Sequence, residues 1–247
     1  MTAIHIDIAS KVYPPKHRKQ PAHQAIAKFG LSVADNEFVC LVGPSGCGKT
    51  TLLNIIAGLD DQYQGKIVLG QQQHSPRIGY VFQNPRLLPW HSVRENIELA
   101  APQPLATDLL DSLLETMQLT AVQNAYPEHL SLGMSRRVAI IRAFAIDPDI
   151  LLMDEPFVSL DAPTARQVRD LLLRLWIQRP HTVLFVTHDL REAIALADRL
   201  VFLSAPPMRV ISGIKVPIAR NQRNDEQAIE SFRQQLLNNH PAIKQLL

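Results

Sequence analysis

The octapeptide GPSGCGKT, residues 43–50, constrains the fold of this chain more than any other feature. It follows the apolar run FVCLV and precedes TLLNIIAGL, which has the spacing of a helix. This order of strand, glycine-rich turn and helix is the setting in which the pattern GxxxxGK[ST] encloses a phosphate group. The glycines let backbone N–H groups turn towards phosphate oxygens, and the helix offers its N-terminus to the same anion. We therefore predict a phosphate loop within an α/β domain.

The end of this loop carries the residues that a nucleotide needs. Lys49 is expected to reach the β- and γ-phosphates, and the Thr50 hydroxyl is expected to ligate Mg²⁺. A purely structural glycine-rich turn would need neither residue. The predicted nucleotide contacts in this segment are Gly43, Pro44, Ser45, Gly46, Cys47, Gly48, Lys49, Thr50 and Thr51.

Hydrophobic patterning predicts the elements around the loop. Four continuous apolar runs, at 38–42, 78–82, 150–153 and 182–187, are typical of buried strands in a parallel sheet covered on both faces. The alternating segment IHIDI at 4–8 predicts a half-exposed strand, and the charged loop at 14–21 is expected to be solvated. Helical spacing predicts an inserted helical lobe at 87–147 and a further helix at 225–237.

Polar residues follow three of the predicted strands. Asp154 would lie on the metal side of the phosphates, and Glu155 could polarise an attacking water. Gln83 and His188 follow two other strands and could contact the γ-phosphate, because ligands of open α/β sheets bind beyond the carboxyl ends of strands. Taken singly, the Asp-Glu pair could be an ordinary strand end, and the glutamine or histidine an ordinary hydrogen-bonding residue.

The segment HLSLGMSRR, residues 129–137, opens a predicted helix in an unusual way. Ser131 could simply be its N-cap. Arg136 and Arg137, however, lie near the positive end of the helix dipole, where a cation is unfavourable unless an anion or an acidic neighbour offsets its charge. The formal net charge is only +2, so any anion binding must be local.

The order of these motifs resembles that of the ATP-binding subunits of ABC transporters, as far as about Ser204. The matching elements are the phosphate loop at 43–50, the Q-loop Gln83, the signature LSLGM at 130–134, the Walker B strand ending in Asp154 and Glu155, the D-loop SLD at 159–161 and the switch His188. The resemblance implies a P-loop NTPase (RecA-like) α/β core with an N-terminal antiparallel β subdomain and an inserted α-helical signature subdomain. By this resemblance, residues 1–86 and 148–204 form the core, 87–147 the helical subdomain and 205–247 a C-terminal extension with a helix.

The resemblance also assigns roles to individual residues. Glu155, His188 and Gln83 are the implied catalytic residues, and Thr50, Gln83 and Asp154 the implied Mg²⁺ ligands. Ser131 and Gly133 would contact the γ-phosphate of an ATP held by a second copy, and Asp161 would also belong to the nucleotide site. Tyr13 would stack on adenine, although a packing role is an equal alternative.

One position departs from the family pattern. Leu132 stands where the signature usually has glycine, and a leucine at positive φ would be strained by roughly 1–2 kcal/mol. We expect this to weaken the site rather than abolish it. Two hypotheses follow: an import ATPase, or a weakly hydrolytic regulatory or heterodimer subunit with a degenerate signature.

The resemblance further implies a set of partners and a location. The segments LLPW at 87–90 and 186–199 are similar to importers of nitrate, sulfonates and taurine. The implied partners are a second nucleotide-binding subunit, as a homodimer or heterodimer, integral membrane permease subunits and, indirectly, a periplasmic or surface solute-binding protein. A chain with no apolar run long enough to span a bilayer would then act peripherally, on the cytoplasmic face of the cell membrane. No nucleic acid is expected, because a second nucleotide domain and a long coiled-coil insertion are both absent.

Overall fold

The computed structural model describes residues 3–15, 22–70, 75–223 and 225–246, so that most of the charged loop after Tyr13 lies outside the described residues. In chain order the strands are β1 (Ile4–Tyr13), β2 (His23–Val33), β3 (Phe38–Val42), β4 (Gln64–Leu69), β5 (Ile78–Val81), β6 (Ile150–Asp154), β7 (Thr182–Thr187), β8 (Arg199–Leu203) and β9 (Val210–Lys215). The helices are α1 (Lys49–Ile56), α2 (Val93–Glu98), α3 (Thr107–Thr116), α4 (Leu132–Ala145), α5 (Ala162–Gln178), α6 (Leu190–Leu196), α7 (Glu226–Asn239) and α8 (Pro241–Lys244). The chain forms two compact units, residues 1–75 with 182–247, and residues 76–181.

The first unit contains an antiparallel sheet with the strand order β2-β1-β4. The predicted alternation in β1 is present, since Ile4, Ile6 and Ile8 are buried while His5 and Asp7 are exposed. The strand continues beyond the predicted segment to Tyr13. Its pairing with β4 changes register between Ile8 and Ser10, and its pairing with β2 changes between Lys11 and Val12.

The first unit also contains the order β7-β3-β8-β9. β3 is parallel to β7 and β8, whereas β9 runs antiparallel to β8. Every residue of β3 and β7 is buried, as their continuous hydrophobicity predicts. The predicted C-terminal helix is present as α7, in which Ile229 and Leu236 are buried and Phe232 is half-buried.

The second unit combines the parallel pair β5-β6 with α2 to α5. β5 ends at Val81, so Phe82 lies one residue beyond the strand that was predicted to include it. The predicted helical faces are present: the buried residues are Val93, Ile97, Leu110, Leu113, Leu114 and Met117. Leu109 is the exception at 43% exposure, because the core-facing stripe of α3 begins one residue later.

Across 3–15, 22–70, 75–223 and 225–246, no helix combines the length and the apolarity needed to cross a bilayer.

Candidate functional site

The phosphate-loop sequence folds into a turn between β3 and α1. Gly46 and Gly48 have φ of +76° and +116°, in the left-handed region that a side chain rarely adopts. Gly43 is needed for space, since an added Cβ would lie 2.9 Å from the Leu203 Cβ. The loop therefore requires glycine at these positions for reasons of backbone geometry and packing.

Lys49 begins α1 with its ammonium group turned back into the loop. Its Nζ donates hydrogen bonds to the Gly43 carbonyl at 2.8 Å and to the Pro44 carbonyl at 3.1 Å, and the residue is only 6% exposed. Ser45, Gly46 and Thr50 are exposed around it. A buried cation, backbone N–H groups and a helix N-terminus beside exposed loop atoms form a donor set suited to a phosphate chain.

Tyr13 lies beside the first turn of α1, near the end of β1. Its hydroxyl is 3.1 Å from the Thr51 Oγ1 and 3.4 Å from the Asp60 Oδ2. The residue is 37% exposed, so part of its ring is open to solvent. The structure thus brings the sequence-predicted Tyr13 and Thr51 together, and adds Asp60, which the sequence did not single out.

His188 follows β7 and is exposed. It borders a cavity of 340 Å³ that is also lined by Asp189, Leu190, Arg191 and Arg233. Asp189 caps α6 by accepting hydrogen bonds from the backbone of Arg191 and Glu192. The turn after β7 therefore holds the histidine at the strand's carboxyl end, as predicted.

In the second unit, β6 delivers two carboxylates in different environments. Asp154 is 3% exposed, whereas Glu155 is partly exposed and adopts a φ of 43°. The Gln83 Nε2 donates to the Glu155 Oε2 at 3.5 Å. The predicted amide and the predicted base therefore lie together.

Tyr80 lies near Asp154, a position that the sequence did not reveal. Burial raises the pKa of its phenol well above the ordinary value, and the negative charge of Asp154 raises it further. Its ring stacks on Phe82 with centroids 4.0 Å apart. A tyrosine in an apolar strand gives no sign of this position, because packing explains it equally well at the sequence level.

The signature segment begins α4 without backbone strain at Leu132. Ser131 is the N-cap, with its Oγ accepting from the Met134 N–H at 3.2 Å. Leu132 is the first helical residue, is absent from the positive-φ positions of the described residues and is 44% exposed. Gly133 is tightly placed, since an added Cβ would lie 2.8 Å from the Thr164 Cγ2. The strain considered for Leu132 therefore does not arise in this structure.

The two arginines of the signature helix bind backbone carbonyls. Arg136 is 4% exposed and lies 3.5 Å from the carbonyl oxygens of both Phe82 and Val158, while Arg137 donates to Met117 at 3.1 Å. Burial lowers the pKa of both guanidinium groups. Their positions in the first turns of α4 are thus compensated by carbonyl dipoles within the same unit.

Asp161, the last predicted nucleotide contact, is the N-cap of α5. Its Oδ2 accepts from the Thr164 backbone N–H at 3.2 Å, and this bonding lowers the pKa of the carboxyl group. The side chain is exposed. It therefore combines a structural role with access to solvent.

The chain is similar to known proteins in both sequence and fold. Residues 26–158 match the ABC transporter family. The aliphatic sulfonates import ATP-binding protein SsuB of Bacillus subtilis is 39% identical over 240 residues, covering 95% of this chain and 93% of that protein. The nitrate import ATP-binding protein NrtD of Synechococcus elongatus is 41% identical over 241 residues, covering 93% and 86%. A dimeric, post-hydrolysis ATP-binding cassette bound to ADP and Pi superimposes with a TM-score of 0.73 at 28% identity, covering 87% of this chain and all of the other.

Proposed function

Because the chain belongs to the ABC transporter family of ATP-binding import subunits, we propose that it hydrolyses ATP to drive uptake of a small anion through separate membrane-spanning subunits. The observation that carries the proposal is the phosphate loop, in which Lys49 is held against the carbonyls of Gly43 and Pro44. Two relatives are named as import ATP-binding proteins for aliphatic sulfonates and for nitrate, which supports an oxyanion as the class of transported substrate. The location that follows is the cytoplasmic face of the cell membrane.

We assign binding of the triphosphate to residues 43–51, with the ammonium of Lys49 neutralising part of its charge. Thr50, Gln83 and Asp154 each offer an oxygen atom of the kind that Mg²⁺ prefers. When bound with ATP, the metal ion supplies positive charge that offsets the negative charge developing on the β- and γ-phosphates. Tyr13 offers a ring for adenine.

We assign the chemical step to Glu155, whose carboxylate accepts a proton from the water that attacks the γ-phosphorus. The bond from phosphorus to the bridging oxygen breaks, and ADP leaves with inorganic phosphate. Gln83 orients the base through the 3.5 Å contact of its amide with the Glu155 carboxylate. His188 donates a hydrogen bond to the γ-phosphate. In a dimer, Ser131 and Gly133 of a second copy face the same phosphate.

The direct test is Glu155→Gln. Loss of the base should lower kcat by at least about a hundredfold while ATP binding persists, because the phosphate loop is untouched. The same variant should form a dimer with ATP, measured by light scattering, since bound ATP is no longer consumed. Glu128→Gln is the matched control, because Glu128 is a glutamate with 76% side-chain exposure. Hydrolysis by Glu155→Gln at the parent rate would overturn the assignment.

The alternative function is a weakly hydrolytic regulatory or heterodimer subunit. Its support is Leu132, which projects a 44% exposed side chain at the helix end where the family usually has glycine. Leu132→Gly should raise turnover if this side chain impedes closure of the dimer. Equal turnover of the two proteins would exclude Leu132 as a cause of impairment, and co-purification with a different ATP-binding subunit would favour the heterodimer.

The partners follow from the import function and can be tested together. We propose integral permease subunits as direct partners and a periplasmic or surface solute-binding protein as an indirect one. Reconstituted with the permease in liposomes, the chain should show ATP hydrolysis that rises with binding protein loaded with a sulfonate or nitrate. Stimulation by neither anion would exclude this substrate class while leaving the ATPase assignment intact.

A further inference from the structure

Lys11 is an unusual residue for a strand, because its ammonium group is buried. Two register shifts, between Ile8 and Ser10 and between Lys11 and Val12, interrupt the alternation of β1. They turn Lys11 towards the interior, where it is 2% exposed. Burial of a charge is unfavourable unless it is paired and hydrogen-bonded. The contacts of Lys11 therefore show what holds it there.

Asp60, which follows α1, is the partner of this lysine. The Lys11 Nζ donates to the Asp60 Oδ1 at 2.6 Å and to the Gln62 carbonyl at 2.8 Å. Burial raises the pKa of Asp60, but hydrogen bonds from Lys11 and from the Gln62 backbone outweigh it, so the net pKa lies below the ordinary value. The Asp60 side chain is therefore a carboxylate at neutral pH.

Tyr13 is fixed by the same two residues. Its hydroxyl donates to the second oxygen of Asp60 at 3.4 Å and lies 3.1 Å from the Thr51 Oγ1, which can then donate to the phenol. The Lys11 Nζ lies 4.6 Å from the centroid of the Tyr13 ring. One end and one face of the ring are therefore in contact with these residues, while Tyr13 as a whole is 37% exposed.

We propose that Lys11 and Asp60 are positioning residues that hold the Tyr13 ring ready for the base of the bound nucleotide, on the face opposite the Lys11 ammonium. The contact with Thr51 ties the ring to the first turn of α1, which also carries the phosphate loop. Fixing a side chain before binding removes the entropy that its ordering would otherwise cost on binding. The pair therefore contributes to affinity for the base and not to affinity for the triphosphate. This inference rests on the proposed ATP-binding function.

The first test is Tyr13→Phe, which keeps the ring and removes only its anchor. We expect the Kd for ATP to rise about three- to tenfold, the loss that corresponds to one or two net hydrogen bonds. The Kd for inorganic tripolyphosphate, which has no base, should stay within about twofold of the parent value. Calorimetry with both ligands measures the difference. Tyr126→Phe is the matched control, since Tyr126 is another exposed tyrosine.

The second test removes the pair itself. A single Asp60→Asn change leaves a buried ammonium without its counter-charge and can prevent folding. The double variant Lys11→Met with Asp60→Asn removes both charges, and circular dichroism verifies that it folds. It should weaken ATP binding by a similar factor while kcat at saturating ATP is retained. Lys66→Met, at an exposed lysine of β4, is its control.

The outcomes separate the two proposals. Equal ATP affinity of Tyr13→Phe and the parent would overturn the positioning role. An equal loss for ATP and tripolyphosphate would also overturn it, because the defect would then lie in the phosphate loop. If the parent protein binds neither ligand, the proposed ATP-binding function itself is wrong.

Discussion

Glu155 has a backbone conformation that an L-residue rarely adopts. Its φ of 43° lies in the left-handed region, where a side chain costs roughly 1–2 kcal/mol. Strained backbone is often retained at functional sites, where surrounding structure maintains it. Here it accompanies the residue that we propose as the base, directly after β6.

This strain predicts that replacing Glu155 with glycine gives a more stable protein than replacing it with alanine. Glu155→Gly should have a free energy of unfolding about 0.5–1 kcal/mol higher than Glu155→Ala, because glycine adopts positive φ without steric strain. Both variants lack the carboxylate, so their difference reports the backbone alone. Urea denaturation measures it. A more stable alanine variant would contradict the prediction.

Single residues were predictable from sequence where a motif fixes them. The placement of Lys49 in the loop, and of Gln83 beside Glu155, follows from strand ends and glycine spacing. The pairing of Lys11 with Asp60 was not predictable, because two register shifts decide that Lys11 points inward. Such shifts depend on pairing with distant strands rather than on the local pattern.

At the scale of elements, the approach of α4 to α5 depends on one glycine. A Cβ on Gly133 would lie 2.8 Å from the Thr164 Cγ2, closer than real contacts allow. Gly133→Ala should therefore lower the free energy of unfolding by about 1 kcal/mol or more, the usual range for overpacking. In a Thr164→Ser background the methyl group is gone, and the same change should cost less. Additive effects in this double-mutant cycle would exclude the contact as the cause.

The strand β8 is joined to the turn before β3 by a charged contact that depends on pH. The Arg199 guanidinium donates to both Glu37 oxygens, at 2.7 and 2.9 Å. Burial raises the pKa of Glu37, but hydrogen bonds from Arg199 and the Ala34 backbone outweigh it, leaving the net pKa below its ordinary value of 4.5.

The sign of the resulting pH dependence can be stated. Near and below its ordinary pKa, Glu37 binds a proton more readily in the unfolded chain, so its contribution to stability is present above that pKa and is lost as pH falls through the lower folded value. Thermal unfolding at about pH 7 and about pH 3 should therefore show the parent losing more stability than Glu37→Gln. Parallel losses in both proteins would contradict the prediction.

Sequence patterning identified most elements but not their partners. The strands β3 and β7 and the helix α7 follow directly from hydrophobic runs and periodicity. The strands β2, β4, β8 and β9 were not predicted from the local pattern. β9 alternates between half-buried and exposed residues, contains Gly213 and pairs antiparallel with β8. Its place in the sheet comes from that long-range pairing, which a local pattern does not encode.

At the scale of the whole molecule, the predicted site residues are divided between the two compact units. The phosphate loop and His188 belong to the first unit, whereas Gln83, Glu155 and the signature belong to the second. The family and the fold class were predictable because both are carried by the order of motifs along the chain. The boundaries of the proposed subdomains remain a prediction, since continuous hydrophobicity does not mark where one compact unit ends.

The reaction rates of the two thiols in the first unit can report on opening of its structure. The sequence has two cysteines, Cys40 in β3 and Cys47 in the phosphate loop, and both are fully buried. Burial raises the pKa of Cys40 well above its ordinary value, which also keeps it in the unreactive thiol form. In native buffer, a disulfide reagent that releases a coloured product should therefore modify the two cysteines at a rate set by opening of the first unit. ATP should slow the modification of Cys47 more than that of Cys40, because the nucleotide binds the loop that contains Cys47. The difference between the two rates then measures how strongly bound ATP stabilises the phosphate loop.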